Sequence, residues 1–277
     1  MEIPSSVLDT IRRALEEDLG PGDVTTSLLI PEQATSTAQF TAKETFVLAG
    51  FPFAREVFRT IDPSIEWNIF LSEGSKAAKG DVLAEISGKT SAILIGERLS
   101  LNILQRLSGI ATLTSLFVDK ISGLRAKIVD TRKTSPCHRF MEKYAVRTGG
   151  GNNHRFGLFD GILIKDNHIH AVGSVREAVQ RAKTGHHLTK IEVEVDNLAD
   201  LGEAIEAGAD IVMLDNMPAT DMKEAVKKAG GRVVIEASGG VTLENVREIA
   251  ETGVDLISVG ALTHSAAAAD ISLKIVE

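Results

Sequence analysis

Seven basic side chains crowd into residues 130–170 of a 277-residue chain: Arg132, Lys133, Arg139, Lys143, Arg147, Arg155 and Lys165. Four acids share the span, Asp130, Glu142, Asp160 and Asp166, so the local balance is seven minus four, +3, in a chain of net charge −8. Four of the seven histidines, His138, His154, His168 and His170, lie there too. Cations packed this closely repel one another unless an anion joins them. The segment therefore reads as a wall for carboxylates, phosphates or both.

Acids follow at two later points. Glu194 lies in "KIEVEVDN" and Asp215 ends "IVMLD". Both segments have strand character, and alternation puts Glu192, Glu194 and Asp196 on one face. Two carboxylates facing a phosphate-rich site suit Mg2+, which takes one or two carboxylates plus substrate oxygens and keeps its waters. The plainer alternative pairs Glu194 with Lys165 or Arg132, and both can hold.

The triple glycine of "RTGGGNNHRFG" invites a phosphate loop, but "EASGGVTLENV" fits better. It reads strand, Ser238-Gly239-Gly240, then helix, with two glycine N–H groups and a helix N-terminus open to an anion. "SVGALTH" supplies a second glycine loop, Gly260, with Thr263 and His264 just beyond. In (β/α) barrels phosphate sits between the loops after the last two strands. The glycines of "GGGNNHR" are then expected to turn the chain so that His154 and Arg155 stand beside Arg132 and Lys165.

The elements that must position these groups are legible in the periodicity. Residues 5–19 predict an amphipathic helix, with Val7, Leu8, Ile11, Ala14 and Leu15 at helical spacing, ended by "GPGDVTT". Residues 35–90 hold short strand-like runs ("TAQFTA", "FVLAG", "IEWNIF", "DVLAEIS") and one helix, Pro52 to Thr60. Residues 91–118 predict a long apolar helix that Gly109 could kink. Thereafter "AKIVDT", "GILIKDN", "KIEVEVDN", "IVMLDN", "RVVIEASGG" and "LISVGAL" alternate with helical stretches, the pattern of a parallel sheet. The expected fold class is α/β: an N-terminal α/β sandwich domain plus an incomplete (β/α) barrel. The expected domains are residues 1–110 with the tail 266–277, and residues 111–265 with the active site.

Composition narrows the function. Hydrophobic residues make up 43%, enough for a sizeable core, and the acidic balance disfavours nucleic acid and acidic membranes as partners. The lone Cys137 gives no disulfide framework, which fits a reducing, cytoplasmic setting. No signal peptide is expected, and no segment is expected to approach the ~18 apolar residues of a membrane span.

The stretch "DTRKTSP…EKYAVRTGGGNNHRFGLFDGILIKDNHI" resembles the quinolinate phosphoribosyltransferase family. So do "EDLGPGDVTT", "GERLSLNILQRLSGIAT", "IEVEVDNL" and "EASGGVTLENVREIAETGVDLISVGALTHS", and the likeness runs almost end to end. The resemblance implies transfer of a phosphoribosyl group from phosphoribosyl pyrophosphate to quinolinate with Mg2+. The products are nicotinate mononucleotide, CO2 and pyrophosphate, on the de novo route to NAD. It implies a homodimer or higher homo-oligomer. It places Arg132, His154, Arg155 and Lys165 at the quinolinate carboxylates, with Arg98 supplied by the neighbouring subunit. Lys133 falls on the pyrophosphate side, and Glu194 and Asp215 on the side of the metal and phosphoribosyl pyrophosphate. Ser238, Gly239, Gly240, Gly260 and His264 fall at the 5′-phosphate, and Arg106 reads as a structural ion pair. In the family a glycine and an apolar residue usually stand where this chain has Cys137 and His138. Two rival readings are a Schiff-base aldolase using Lys165 and a fold relative that binds another acid.

Overall fold

The computed structural model describes residues 2–185 and 187–276; Met1 and Glu277, the outer limits of the expected domain spans, lie outside the described residues. Helix α1 (Ser5–Leu19) forms as its spacing predicts, with Val7, Ile11 and Leu15 buried. The segment expected only to break it does more. The Asp23 carboxylate accepts the Thr26 N–H at 2.9 Å and starts a short helix, α2 (Val24–Leu29). There follow β1 (Thr35–Ala42), β2 (Phe46–Val47), α3 (Phe51–Ile61), β3 (Glu66–Ile69), β4 (Lys76–Ala77) and β5 (Val82–Lys89). An antiparallel sheet of order β12-β1-β5-β3 takes its outer strand, β12 (Ile271–Ile275), from the far end of the chain. Phe40, Phe51 and Phe58 pack around Trp67 beneath it.

Helix α4 (Thr90–Lys120) runs unbroken through Gly109. The glycine is there for packing: a Cβ would stand 1.9 Å from the Ala267 carbonyl oxygen. Among the described helices α4 alone is long and apolar enough by composition to cross a membrane, which corrects the expectation that no segment comes close. Half of its most apolar window is buried in the protein, and Ser108 on it bonds the Ala49 backbone. That is the behaviour of a core helix.

The second half reads β6 (Lys127–Val129), α5 (Arg139–Thr148), β7 (Ile162–Ile164), α6 (Asp166–Val172), α7 (Val175–Ala182), β8 (Ile191–Val195) and α8 (Leu198–Ala207). It continues β9 (Ile211–Asp215), α9 (Ala219–Ala229), β10 (Val234–Ser238), α10 (Val246–Glu251), β11 (Leu256–Ser258) and α11 (Ala261–His264). The six strands form a parallel sheet of order β6-β11-β10-β9-β8-β7. Asn152 adds a parallel bridge to Val129, outside β6. In a flat sheet the Asn152 segment would lie ~24 Å from β8, five strand spacings away. His154 nevertheless sits 3.0 Å from Glu192 on β8. The sheet therefore curls into a barrel, and β6 and β7 do not pair to close it. Both expected architectures, the sheet domain and the incomplete parallel barrel, are present.

Compactness divides the chain into two units. The second is Leu116–Lys133 with Gly151–Leu262; the first takes the remainder, including Thr134–Gly150 and the residues from Thr263 onward.

Candidate functional site

The "GGGNNHR" stretch is placed by its glycines and one buried acid. Gly149 lies so close to α4 that a Cβ would meet the Ala111 carbonyl oxygen at 2.3 Å, and Gly150 turns at φ 89°. Beyond the turn, the Asn152 N–H donates to the Ile128 carbonyl at 2.8 Å, which fixes the register against β6. The wholly buried Asp130 then takes the Asn153 amide at 2.6 Å and the His154 N–H at 2.9 Å.

This directs the His154 ring into the barrel. Its Nε2 is 3.0 Å from Glu192 and 3.7 Å from Glu236, and its Nδ1 accepts the Arg155 N–H at 2.8 Å. Glu192 and Glu236 are both buried, on inward faces of β8 and β10. Among the described residues, Glu192 Oε1 and both Glu236 carboxyl oxygens have no hydrogen-bond partner. Burial first, then the neighbouring Glu192 charge, pushes the Glu236 carboxyl up to about 7. A proton on Glu236 supplies a donor where three oxygens otherwise have none.

Arg155 follows directly. Its Nη1 donates to the Gly161 carbonyl at 2.9 Å, while its buried Nε–H has no acceptor among the described residues. Burial and the nearby Arg132 guanidinium lower its pKa. A guanidinium with an idle buried donor, in the field of a second one, is suited to an anion.

At the C-terminal ends of the strands, Lys165 Nζ pairs with Glu194 Oε2 at 2.7 Å, so the plainer expectation for Glu194 holds in the free chain. The Lys165 side chain is 45% exposed and Glu194 15%, a pair open to exchange. His168 serves the helix start: its Nδ1 accepts the Lys165 N–H at 2.9 Å at the head of α6. Asp215, one strand over on the same inward face, accepts the Asn216 amide at 2.9 Å. Asn216 donates its N–H to the Ser238 carbonyl, and a Cβ on Gly239 would collide with Asn216 Oδ1 at 2.2 Å. Ser238, Gly239 and Gly240 thus make a tight turn with positive φ at both glycines. The helix expected to follow directly does not. Thr242 and Asn245 close an intervening turn and α10 begins only at Val246, so the groups on offer are turn N–H groups, not a helix end. Gly260 ends the next loop, ahead of α11. Arg132 and Lys133 are exposed just after β6.

Arg98 and His264 belong to the first unit. Both are exposed, Arg98 on α4 and His264 beside Ser265. Arg106 is indeed structural: it pairs with the buried Glu142 at 2.9 Å and donates to the Thr263 and Ala266 carbonyls.

A cavity of about 510 Å³ lies inside the barrel toward the N-terminal ends of the strands. His154, Arg155, Glu192 and Glu236 line it; Lys165, Glu194, Asp215 and Ser238 do not. It is the interior beneath the strand-end cluster, not that cluster itself. The carboxylate cluster facing it carried a signal in the sequence, an acid within each of the apolar runs "KIEVEV" and "VVIEAS", but periodicity alone assigned it no task.

A family model described as quinolinate phosphoribosyl transferase, N-terminal domain, matches residues 23–108, and the corresponding C-terminal domain model matches residues 110–274. A Bacillus subtilis protein named probable nicotinate-nucleotide pyrophosphorylase (carboxylating) is 45% identical over 260 residues, covering 94% of this chain and 90% of that one. A Nicotiana tabacum protein named quinolinate phosphoribosyltransferase (decarboxylating) is 44% identical over 96% of this chain and 81% of its own. Among solved structures, the nicotinate-nucleotide pyrophosphorylase from Francisella tularensis superposes with a TM-score of 0.95 at 43% identity, covering 99% of this chain and 98% of that one.

Proposed function

Because the chain belongs to the quinolinate phosphoribosyltransferase family, we propose that it joins quinolinate to phosphoribosyl pyrophosphate. The products are nicotinate mononucleotide, CO2 and pyrophosphate, in de novo NAD biosynthesis. The observation that carries this reading is the idle buried Nε–H of Arg155 in the field of a second guanidinium, Arg132, which calls for an anionic ligand.

In this reading Arg132, His154, Arg155 and Lys165 hold the two quinolinate carboxylates, Lys165 by exchanging Glu194 for substrate. The pyridine nitrogen attacks C1 of the phosphoribosyl group as pyrophosphate leaves, so positive charge grows on the ribose. Positioning and electrostatics supply most of the catalysis. Glu194 and Asp215 face that charge, and Lys133 faces the pyrophosphate. The quaternised ring then accepts the electrons released as CO2 departs. The turn Ser238-Gly239-Gly240, with Gly260 and His264, takes the 5′-phosphate.

Two hard carboxylates on neighbouring strands fit Mg2+, and Glu194 and Asp215 are the residues that would hold it. Bound there, it supplies neutralisation of pyrophosphate charge. A homodimer or larger homo-oligomer, Arg98 acting on the neighbouring site, and a cytoplasmic setting complete the proposal. The Schiff-base reading draws no support: Lys165 is half exposed and ion-paired, unlike the desolvated amine such chemistry uses.

The test is formation of nicotinate mononucleotide from quinolinate, phosphoribosyl pyrophosphate and Mg2+, with nicotinate as the control acid. Product from quinolinate alone is expected. Equal turnover of nicotinate would refute the dicarboxylate site.

A further inference from the structure

We infer that Glu192, backed by Glu236, is a positioning residue that acts on the anion wall through His154. The inference rests on the reading that Arg155 holds a substrate carboxylate. Its physical basis is the state of one ring. His154 Nδ1 accepts the Arg155 N–H at 2.8 Å, so that nitrogen carries no proton. The proton is therefore on Nε2, which points to Glu192 Oε2 at 3.0 Å. The Arg155 N–H sets the tautomer, and Glu192, facing the Nε2–H, fixes the plane of the ring, as outer carboxylates do for functional imidazoles. The ring is held at both nitrogens, and the peptide group it grips belongs to Arg155. The His154 N–H is held in turn by Asp130 at 2.9 Å. Buried carboxylates thus clamp both sides of the peptide unit from which the Arg155 side chain departs.

The same geometry removes another reading of the cluster. His154, Glu192 and Glu236 offer ligand atoms within 4.8 Å of one another, as a divalent cation site would. A cation would need the Nε2 lone pair; with Nδ1 already accepting, the ring would have to be an imidazolate. In the folded chain His154 holds the backbone of its neighbour Arg155.

The experiment uses the full-length 15N-labelled protein and imidazole 15N–1H correlation spectra, with the His154 signal identified by its loss in His154→Gln. The parent ring should be the neutral Nε2–H tautomer. Glu192→Leu should move the Nε2–H signal, which loses its acceptor, and raise KM for quinolinate by about tenfold or more, the usual scale for an outer carboxylate. KM for phosphoribosyl pyrophosphate should change less than about twofold. Glu192→Gln keeps an acceptor oxygen, so tautomer and quinolinate KM should stay near the parent. A folded Glu192→Leu with parental KM overturns the inference. Should that variant not fold, the parent spectrum decides, because a ring protonated on Nδ1 overturns it as well. A parent that makes no nicotinate mononucleotide would defeat the functional reading and leave the tautomer result to stand by itself.

Discussion

Strand β8 carries two glutamates, two residues apart on one face, with opposite circumstances. Glu194 pairs with Lys165, a long side chain 45% exposed. Glu192, about 7 Å deeper along the strand, meets a histidine ring held through the backbone and a carboxyl that never sees solvent. Depth alone separates them. At the strand end the partner is flexible and solvated, so exchanging it for a substrate carboxylate costs little. In the interior an ion taken from its partners would lose several kcal/mol of solvation that nothing replaces. On the proposed reading the first pair is available for chemistry and the second cluster holds shape.

The hardest test of that contrast is Lys165→Ala. An exposed ion pair contributes ~1 kcal/mol or less, so the urea midpoint should barely move. Activity should not survive as well: kcat/KM should fall on the order of a thousandfold, the scale of a lost preorganised charge. A variant that keeps its activity but is destabilised by ~3 kcal/mol would reverse the assignment of the two clusters.

Glu236→Gln probes the interior through pH. The Glu236 carboxyl is raised to about 7, from 4.5 for an ordinary glutamate. A raised carboxyl binds its proton more tightly in the folded state. Its contribution is whole below pH ~4.5 and is lost as pH rises through about 7, a decline on the order of 3 kcal/mol. Glutamine has no proton to lose. Urea unfolding from pH 4.5 to 7.5 should show the variant gaining on the parent by about that amount. Parallel curves would mean that Glu236 is not held protonated.

Much of this was legible in the sequence, for reasons that also mark where reading fails. Lys165, Glu194 and Asp215 announce themselves because a strand ends in a polar residue where it meets the barrel rim, and α1 spans the expected residues with Val7, Ile11 and Leu15 of its apolar face buried. Gly109 misleads because glycine is ambiguous: it can weaken a helix or admit a neighbouring backbone, and only the position of Ala267 shows which. Helix α10 starts late because Thr242 and Asn245 make a turn of their own. The separate tasks of Glu192 and Glu194 were hidden because alternation gives the face of a strand but not the depth along it. Asp130 was counted as a charge near the site, yet its work is to hold Asn153 and His154, more than twenty residues further along the chain.

The smallest effect separates strain that the fold uses from strain that it does not. Among the described residues only Cys137 and Asn216 have positive φ without being glycine, at 63° and 53°. Asn216 tolerates that region, and its side chain and N–H bond Asp215 and Ser238. Cys137 is an exposed free thiol in a loop. A left-handed L-residue costs ~1–2 kcal/mol, and the extra unfolded-state freedom of glycine returns roughly half of that. Cys137→Gly should therefore stabilise the protein by about 1 kcal/mol, read as a higher urea midpoint at unchanged slope. Asn216→Gly relieves no comparable strain and removes the bond to Asp215, so it should gain nothing. Equal gains from both substitutions would mean that the Asn216 contacts do not offset its backbone, and that the turn beside Gly239 is as strained as the loop at Cys137.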